Sequence, residues 1–409
     1  MRIAEKAKEI GVELFVLDDG WFGKRNKDNA SLGDWYPNLN KLPGGITGLA
    51  RKIEEGLSGL SEKINAMGMK FGLWFEPEMT NKDSDLFRAH PDWLLADIRR
   101  NYCHSRNQYV LDFSKSEVVD YIYGQMRKIL REAPVSYIKW DMNRAFSEVF
   151  SNGNDRTYQG KVRHNYILGV YSLYERLIQE FPDVLFESCA SGGARFDPGM
   201  LYYAPQTWTS DDTDAVERIK IQYGTSYVYP LSSMGSHVSA SPNHQIFRST
   251  SLETRGNVAY FGTFGYELDI TKLTEKELEQ MKEQITFMKQ HRDLIQKGEF
   301  YRLESPFKGN QAAWEVVAKD GSEGLMAYFR VRQPIQGKLE RIYFSGLEET
   351  KAYEVRECFG EKTDFGVHYG DELMYVGFSV SDCSSGLVGV ARTGQGDGYS
   401  RLFHFRKVN

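Results

Sequence analysis

Residues 137–143 read "YIKWDMN", a short run of aromatic and β-branched residues that ends in polar ones. Such a run predicts a buried β-strand. Because residues two apart on a strand share a face, Lys139, Asp141 and Asn143 are expected to point the same way. The segment therefore predicts a strand that delivers a lysine, a carboxylate and an amide to one side of a sheet.

Six further runs of this kind precede residue 270, and amphipathic helices separate several of them. The seven runs occupy residues 13–21, 70–79, 137–143, 184–193, 206–214, 232–240 and 261–269. Strands that alternate with helices predict a parallel sheet with covered faces. Polar groups at the carboxyl ends of successive strands favour a (β/α)8 barrel over an open doubly wound sheet, which would concentrate its site at one switch point. We therefore expect an α/β chain with a TIM-type barrel over residues 1–297.

From Gly298 onward the sequence alternates polar and apolar residues between turn-rich pieces. The strand-like pieces lie at residues 314–320, 325–333, 341–347, 353–360 and 386–393. No long helical pattern interrupts them. We therefore expect an antiparallel β-sandwich as a carboxyl-terminal domain over residues 298–409.

Composition excludes several classes of function. The net charge of −5 on 409 residues is mild and spread along the chain, which does not favour nucleic acid or an anionic membrane as a partner. The first residues, "MRIAEKAKEIG", read as a charged amphipathic helix rather than a signal peptide, and no run of 18 apolar residues follows. We expect a cytoplasmic protein with neither a nucleic-acid nor a membrane partner.

Two groups of carboxylates could carry chemistry. A lysine beside Asp141 would favour an ionised nucleophile, although a structural Lys139–Asp141 ion pair is an equal alternative. The segment "WTSDDTD" supplies Asp211, Asp212 and Asp214, of which one could stay protonated as a general acid. On a strand, only one of Asp211 and Asp212 would point inward, and the sequence does not say which. A solvent-exposed acidic loop is the simpler explanation of this segment. Two carboxylates from different strands meet the minimum requirement for glycoside hydrolysis, in which one acts as nucleophile or base and the other as acid.

Other catalytic chemistries find less support in the sequence. The histidines show no HxH or HExxH spacing, so we expect no metal and no cofactor. A serine nucleophile lacks its GxSxG turn. Cys189 in "SCASGG" could be a nucleophile, but no partner histidine is identifiable.

The stretch "VLDDGWFG", residues 16–23, places Asp18 and Asp19 side by side at the end of a predicted strand. Two like charges that are this close repel one another, and burial makes the repulsion worse. Either the strand ends in solvent, or a polar and hydroxyl-rich ligand lies there.

Together these motifs resemble the catalytic domain of glycoside hydrolase family 36 α-galactosidases. The resemblance rests on "LDDGWFG", "FGLWFEPEM", "RNQYVLDFS", "YIKWDMNR", "ESCASGGARFDPGML", "WTSDDTDAVERIKIQYG", "SSMGSHVSASPNHQ" and "FGTFGYELD", which occur in the family's order. It spans nearly the whole chain. It implies a retaining enzyme that releases terminal α-linked galactose from oligosaccharides such as melibiose and raffinose.

The resemblance also assigns roles to residues. It implies that Asp141 is the nucleophile and that Asp211 is the acid/base, which selects the first aspartate of "SDDTD". It implies that Asp18 and Asp19 bind the galactose 4- and 6-hydroxyls. The remaining sugar-binding positions that it implies are Trp74, Arg106, Lys139, Asn143, Cys189 and Gly192.

The sequence departs from the family pattern in two ways. Family members usually carry an amino-terminal β-sandwich and a first barrel strand with a tryptophan, and the present sequence matches neither. Residues 45–55 and 56–66 are also an internal duplication with a period of 11 residues. Because a barrel without its first strand has two unpaired edges, we expect a truncated or split form. A homo-oligomer, or a partner chain that supplies the missing strand, would cover those edges.

Two alternatives remain open from the sequence. A galactosyl transferase of the raffinose-synthase type would share the nucleophile and differ in its acceptor. A truncated, inactive sugar-binding remnant would need neither Asp141 nor Asp211, and the presence of both argues against it.

Overall fold

All seven predicted runs contain a strand in the structure, which is a computed structural model that describes residues 1–42, 59–333, 341–359, 364–380 and 396–408. The chain divides into two compact units, Met1–Trp208 and Thr209–Asn409. Five of the predicted strands belong to the first unit and two belong to the second.

The first unit alternates strands and helices in the predicted manner. Its main elements are α1 (Arg2–Glu9), β1 (Leu14–Leu17), α2 (Leu60–Ala66), β2 (Lys70–Phe75), β3 (Met79–Thr80), α3 (Asp85–Ala89), β4 (Tyr109–Val110), α4 (Ser116–Glu132), β5 (Tyr137–Trp140), α5 (Val162–Glu180), β6 (Leu185–Ser188), α6 (Pro198–Tyr203) and β7 (Gln206–Trp208). Strands β1, β2, β5, β6 and β7 lie side by side in that order, and all their pairings are parallel. The short β3 and β4 form a separate antiparallel pair.

Helix packing fixes which face of β5 is available to a ligand. The Trp140 ring stacks on Tyr174 of α5 with ring centroids 4.0 Å apart, and both side chains are buried. Because successive side chains on a strand point to opposite faces, Lys139 points away from this helix. The predicted alternation is therefore confirmed for the strand itself.

The second unit contains the last two predicted parallel strands and the antiparallel region. Its main elements are α7 (Ala215–Thr225), β8 (Met234–Ser239), α8 (Leu252–Ala259), β9 (Thr263–Glu267), α9 (Glu275–Lys297), β10 (Glu299–Glu304), β11 (Gln311–Val317), β12 (Glu323–Arg330), β13 (Arg341–Ile342), β14 (Ala352–Glu357), β15 (Asp364–Tyr369), β16 (Phe378–Ser379) and β17 (Tyr399–Lys407). Strands β8 and β9 pair in parallel.

The region after Gly298 is antiparallel, as the alternation predicts. Six strands form one sheet in the order β10-β11-β12-β17-β14-β15, and β13 pairs with β16 in a second, smaller sheet. The two sheets share one apolar core, in which Phe378 of β16 lies with its ring centroid 5.2 Å from that of Phe403 on β17. The strand predicted at residues 386–393 and the first copy of the duplication, residues 45–55, lie outside the described residues.

A buried glutamate makes the stability of this antiparallel core depend on pH. Glu315 of β11 is fully buried, and its Oε1 accepts a hydrogen bond from the backbone N–H of Ser345. Its Oε2 has no hydrogen-bond partner in the described part of the chain. Burial raises the pKa of Glu315 well above its usual value, so the folded state prefers the protonated acid.

We therefore expect Glu315→Gln to stabilise the protein at alkaline pH. Once the pH exceeds the ordinary glutamate pKa, the unfolded chain loses this proton while the folded chain retains it, and stability falls as pH rises. The variant should raise the melting midpoint by a few degrees at pH 8 and by less at pH 5, as measured by calorimetry. The exposed Glu299→Gln is the matched control. An equal effect of Glu315→Gln at both pH values would contradict the prediction.

Candidate active site

The strands of the first unit bring polar side chains to one level near the carboxyl ends of β2, β5 and β6. Trp74 pairs in register with Lys139, Lys139 with Glu187, and Glu187 with Gln206 of β7. Residues in register on parallel strands point to the same face. These four side chains therefore form a row across the sheet, and the residues that follow each strand lie just beyond it.

Asp141 lies directly beyond β5, and donors from β2 and from the segment after β5 converge on its carboxyl group. Its Oδ2 accepts hydrogen bonds from Trp74 Nε1 at 3.2 Å and from Asn143 Nδ2 at 2.7 Å. Its Oδ1 accepts from the backbone N–H of Met142 at 2.8 Å, and its own N–H donates to Phe75 O. Asp141 is 6% exposed. The carboxyl group is thus held in one orientation with little contact with solvent.

Lys139 pairs with Asp18 rather than with Asp141. The Lys139 Nζ lies 2.9 Å from Asp18 Oδ2, so the Lys139–Asp141 ion pair considered from the sequence does not form. Burial alone would lower the pKa of Lys139, but the nearby carboxylates of Asp18 and Glu187 outweigh burial and raise it. The physical reason is that β1 and β5 both flank β2, so their carboxyl ends come within reach of each other.

Asp19 is held by a buried arginine that the sequence did not single out. Arg25 Nε donates to Asp19 Oδ1 at 2.9 Å and Nη2 donates to Oδ2 at 2.8 Å, which makes the ion pair bidentate. Arg25 is 4% exposed, and its Nη1 donates to the backbone oxygens of Asp28 and Ala30 and to Asn81 Oδ1. The repulsion between Asp18 and Asp19 is therefore offset by a separate cation on each carboxylate.

Trp74 and Arg106 occupy contrasting environments. The Trp74 ring is 3% exposed and lies parallel to Phe22 at 6.1 Å, so its main polar contribution is the N–H that faces Asp141. Arg106 is exposed on a turn in which Gln108 N donates to Ser105 O at 2.9 Å. Arg106 and Asn107 both have positive φ, 52° and 56°, which non-glycine residues rarely adopt. The turn thus holds Arg106 in a strained conformation beside the site.

Cys189 and Gly192 lie on the turn after β6. Cys189 is 1% exposed, and burial raises the pKa of its thiol well above the usual value, which opposes a role as a thiolate nucleophile. The turn continues through Ser191 and Gly192, both with positive φ. Ser191 Oγ donates to Asn143 Oδ1 at 3.1 Å, which ties this turn to the Asp141 segment.

The acidic segment after β7 belongs to the second unit, and its three aspartates differ. Asp214 is buried and caps α7, since its Oδ1 accepts from the N–H groups of Val216 and Glu217. Asp212 Oδ1 accepts from the N–H of Asp214 at 3.1 Å. Asp211 is exposed. Because β7 ends at Trp208, Asp211 and Asp212 do not lie on a strand, and side-chain alternation does not decide which of them points inward.

Two of the buried glutamates lie near Asp141 and Lys139 and were not predicted from the sequence. Glu76 directly follows β2, and Glu187 stands in the row on β6 with Tyr137 and Gln206 as hydrogen-bond partners. Burial raises the pKa of Glu187, although the charge of Lys139 lowers it. Their burial could have been predicted, because each directly follows a phenylalanine inside a predicted strand run, residues 70–79 for Glu76 and residues 184–193 for Glu187.

The described residues contain no group of three or more histidine, cysteine, aspartate or glutamate side chains placed to hold a metal ion. Within the same ranges, no helix is long and apolar enough to cross a membrane.

Two known protein families match the chain. The Melibiase family model matches residues 1–298. The chain belongs to the melibiase family. The model of the Glycosyl hydrolase family 36 C-terminal domain matches residues 311–405 of this melibiase-family chain. The resemblance inferred from the motifs is confirmed.

Individual relatives agree with the family match. Alpha-galactosidase AgaA of Geobacillus stearothermophilus is 51% identical over 388 residues, which are 95% of this melibiase-family chain and 51% of AgaA. The crystal structure of the α-galactosidase from Lactobacillus brevis has a TM-score of 0.92 and 47% identity, covering 100% of this chain and 52% of that one. A variant of AgaA crystallised with raffinose has a TM-score of 0.90 and 48% identity, covering 100% and 53%.

These relatives confirm the predicted fold class, a TIM-type barrel followed by a carboxyl-terminal antiparallel domain. The chain spans about half the length of the curated relatives it matches.

Proposed function

We propose that the chain acts as a retaining α-galactosidase on α-galactoside oligosaccharides such as melibiose and raffinose. The observation that carries the proposal is the Asp141 carboxyl group, held by Trp74 and Asn143 at the strand ends of a melibiase-family chain. A relative in complex with raffinose supports the choice of substrate.

The proposed reaction has two displacements. In the first, the Asp141 carboxylate attacks the anomeric carbon of galactose, and the electrons of the glycosidic bond pass to the leaving oxygen, which takes a proton from Asp211. In the second, Asp211 removes a proton from water, the water oxygen attacks the anomeric carbon, and Asp141 leaves. Two inversions give galactose with its α configuration retained.

Substrate recognition is assigned to the remaining residues of the first unit. The carboxylates of Asp18 and Asp19 accept hydrogen bonds from the galactose 4- and 6-hydroxyls, while Lys139 and Arg25 fix their orientation. The other proposed sugar-binding residues are Trp74, Arg106, Asn143, Cys189 and Gly192. The carboxyl-terminal domain is proposed to begin at residue 298.

The direct test is hydrolysis of p-nitrophenyl α-galactoside, followed by NMR of the first galactose released. Alpha-galactose as the initial product supports the proposal, and β-galactose contradicts retention. Product analysis with sucrose or galactinol present separates hydrolysis from galactosyl transfer. Binding of galactose without turnover would support the inactive remnant instead.

Arg25 offers a test of the hydroxyl-binding pair. Arg25→Lys keeps the charge but cannot hold both oxygens of Asp19, so we expect KM for melibiose to rise about tenfold with a smaller change in kcat. The matched control is Arg88→Lys, an exposed arginine that pairs with Asp83 and Asp85. Steady-state kinetics on both variants decide, and an unchanged KM in Arg25→Lys would show that Asp19 needs no such support.

We also predict a cytoplasmic location. In addition, we predict either a homo-oligomer or a partner chain that supplies a strand. Size-exclusion chromatography with light scattering tests the last two.

A further inference from the structure

A buried arginine of α7, Arg218, contacts the segment that carries Asp211 at several points. Arg218 is 2% exposed. Its Nη2 donates to Ser210 O at 2.5 Å, and its Nε donates to Asp212 O at 2.7 Å. These carbonyl groups belong to the residues on either side of Asp211. The guanidinium group therefore holds the backbone immediately before and after the proposed acid/base.

Arg218 is itself fixed within the second unit. Its Nη1 donates to Thr209 Oγ1 at 2.6 Å and to Gly235 O of β8 at 3.2 Å. Its backbone N–H donates to Asp214 O at the start of α7. A guanidinium group presents its donors in one rigid plane, so acceptors at several fixed points determine its orientation. The group therefore has a defined position from which to hold the chain.

The backbone torsions of Asp211 depend on this arrangement. Its φ and ψ relate the peptide plane that precedes Asp211 to the plane that follows it. Arg218 holds the preceding plane through Ser210 O. The following plane is held by the N–H of Asp212, which donates to Ser210 Oγ at 3.0 Å. Arg218 and Ser210 together thus set the direction in which the Asp211 side chain leaves the backbone.

The chain after Asp212 is held by other residues. Thr213 is 4% exposed, and its backbone oxygen accepts from Ser239 Oγ at 2.8 Å. Asn243 Nδ2 donates to Thr213 Oγ1 at 3.1 Å. Loss of the Arg218 contacts should therefore loosen residues 209–212 without detaching the start of α7.

We propose that Arg218 is a positioning residue for proton transfer, which holds Ser210 O and Asp212 O so that the Asp211 carboxyl group lies where the glycosidic oxygen needs a proton. The role rests on the proposed function, because it presumes that Asp211 is the acid/base. Arg218 touches no reacting atom in this scheme. It acts on the two steps in which Asp211 moves a proton, to the leaving oxygen and from the attacking water.

This role makes the effect of Arg218 depend on the leaving group. The sugar that leaves raffinose departs as an alcohol and needs a proton, whereas p-nitrophenolate leaves without one. A misplaced Asp211 should therefore slow the first displacement on raffinose much more than on p-nitrophenyl α-galactoside. A purely structural defect lowers the amount of folded enzyme and so reduces both rates by the same factor.

The first test is Arg218→Lys, which keeps the charge but lacks the planar set of donors that reaches both carbonyl groups. We expect kcat/KM to fall by about 100-fold on raffinose and by only about threefold on p-nitrophenyl α-galactoside. Azide should accelerate turnover of the second substrate and give α-galactosyl azide, because azide needs no base to attack the intermediate. Equal losses on the two substrates would overturn the proposal.

The matched control is Arg401→Lys. Arg401 is 5% exposed in the same unit, and it forms an ion pair with Glu357 in the antiparallel region. Its replacement should change kcat/KM on the two substrates by the same factor. A leaving-group effect in Arg401→Lys as large as that in Arg218→Lys would show that the effect is general and would refute the positioning role.

A double variant tests whether Arg218 acts through Asp211. Asp211→Asn already lacks the acid, so adding Arg218→Lys should lower kcat/KM on raffinose by no more than about threefold further. A further loss of about 100-fold would mean that the two residues act independently, and the proposal would fail.

Hydrogen exchange followed by mass spectrometry tests the contact without needing activity. Arg218→Lys should speed amide exchange in residues 209–212 and leave β8 unchanged, while Arg401→Lys should change neither. Unchanged exchange in residues 209–212 would contradict the proposal. If exchange rises as expected but the wild type is inactive, the proposed function fails and only the anchoring of the segment stands. If Asp211→Asn shows leaving-group dependence and Arg218→Lys does not, the proposed function stands and the positioning role fails.

Thr209 provides a second pair of variants should Arg218→Lys fail to fold. Thr209→Val is nearly isosteric and removes the acceptor of Arg218 Nη1, whereas Thr209→Ser keeps it. Thr209→Val should lower kcat/KM on raffinose by about tenfold, with little change on p-nitrophenyl α-galactoside. Thr209→Ser should retain the wild-type ratio of the two rates. A wild-type ratio in Thr209→Val would then overturn the proposal.

Discussion

Asp141→Asn is expected to lower kcat on p-nitrophenyl α-galactoside by about 100,000-fold, the scale seen when an enzyme loses its covalent nucleophile. Asparagine keeps the shape of the side chain and removes the charge that attacks the anomeric carbon. The hydrogen bonds from Trp74 and Asn143 hold the Asp141 carboxyl group in one orientation. Calorimetry should show that the variant remains folded.

A second variant at this position tests the nucleophile by chemical rescue. Asp141→Gly leaves a space in which azide can attack the face of galactose that the carboxylate would attack, so the product should be β-galactosyl azide. The exposed Asp183→Asn is the control for loss of one negative charge and should keep its turnover. If Asp141→Asn retained a tenth of the wild-type rate, or if azide gave no galactosyl azide, another residue would be the nucleophile.

Asp211→Asn is expected to show a loss that depends on the leaving group. General acid catalysis contributes about 100- to 10,000-fold, so hydrolysis of raffinose should fall by about 1,000-fold. The first displacement with p-nitrophenyl α-galactoside should fall far less, because p-nitrophenolate leaves without a proton. Steady-state rates on the two substrates, with burst kinetics on the second, measure the difference. Azide should now give α-galactosyl azide, because it attacks the intermediate that Asp141 forms.

Asp212→Asn is the matched control for this second prediction. Asp212 lies next to Asp211, but its carboxyl group accepts from the N–H of Asp214 and so supports the start of α7. We expect Asp212→Asn to lower both rates by a similar, smaller factor. Leaving-group dependence in Asp212→Asn, and its absence in Asp211→Asn, would exchange the two assignments.

The parallel strands could be predicted because the residues that mark each strand are adjacent in the sequence. Runs such as residues 70–79 are rich in aromatic and apolar residues and end in polar ones. Strand β17 was missed, although it is the longest described strand and lies between β12 and β14. It contains Arg401, which reads as a surface residue, yet Arg401 is buried in a bidentate ion pair with Glu357. The neutralising partner lies 44 residues away and leaves no local pattern.

The same limit applies to the candidate site. The motifs predicted which residue types lie there, and alternation correctly turned Lys139 away from Trp140. Alternation could not predict that Lys139 pairs with Asp18, because the two residues are 121 positions apart and meet only through the order of the strands. It also failed beyond Trp140 and Trp208, where β5 and β7 end. Glu76 was overlooked because charged residues are usually exposed, although its place directly after Phe75 indicated burial.

The hydrogen bonds of Lys41 affect how the chain tolerates insertions. Its Nζ donates to the carbonyl oxygens of Gly20 and Arg25, so the segment that carries Asp19 is fastened back onto itself before residue 45, where the duplication begins. Lengthening a connection costs little entropy, because that cost grows only with the logarithm of length. Eleven added residues can therefore accumulate downstream without shifting the two aspartates. The hydrogen bonds of Lys41 thus hold the segment that carries Asp19 in place, while the chain that follows can change in length.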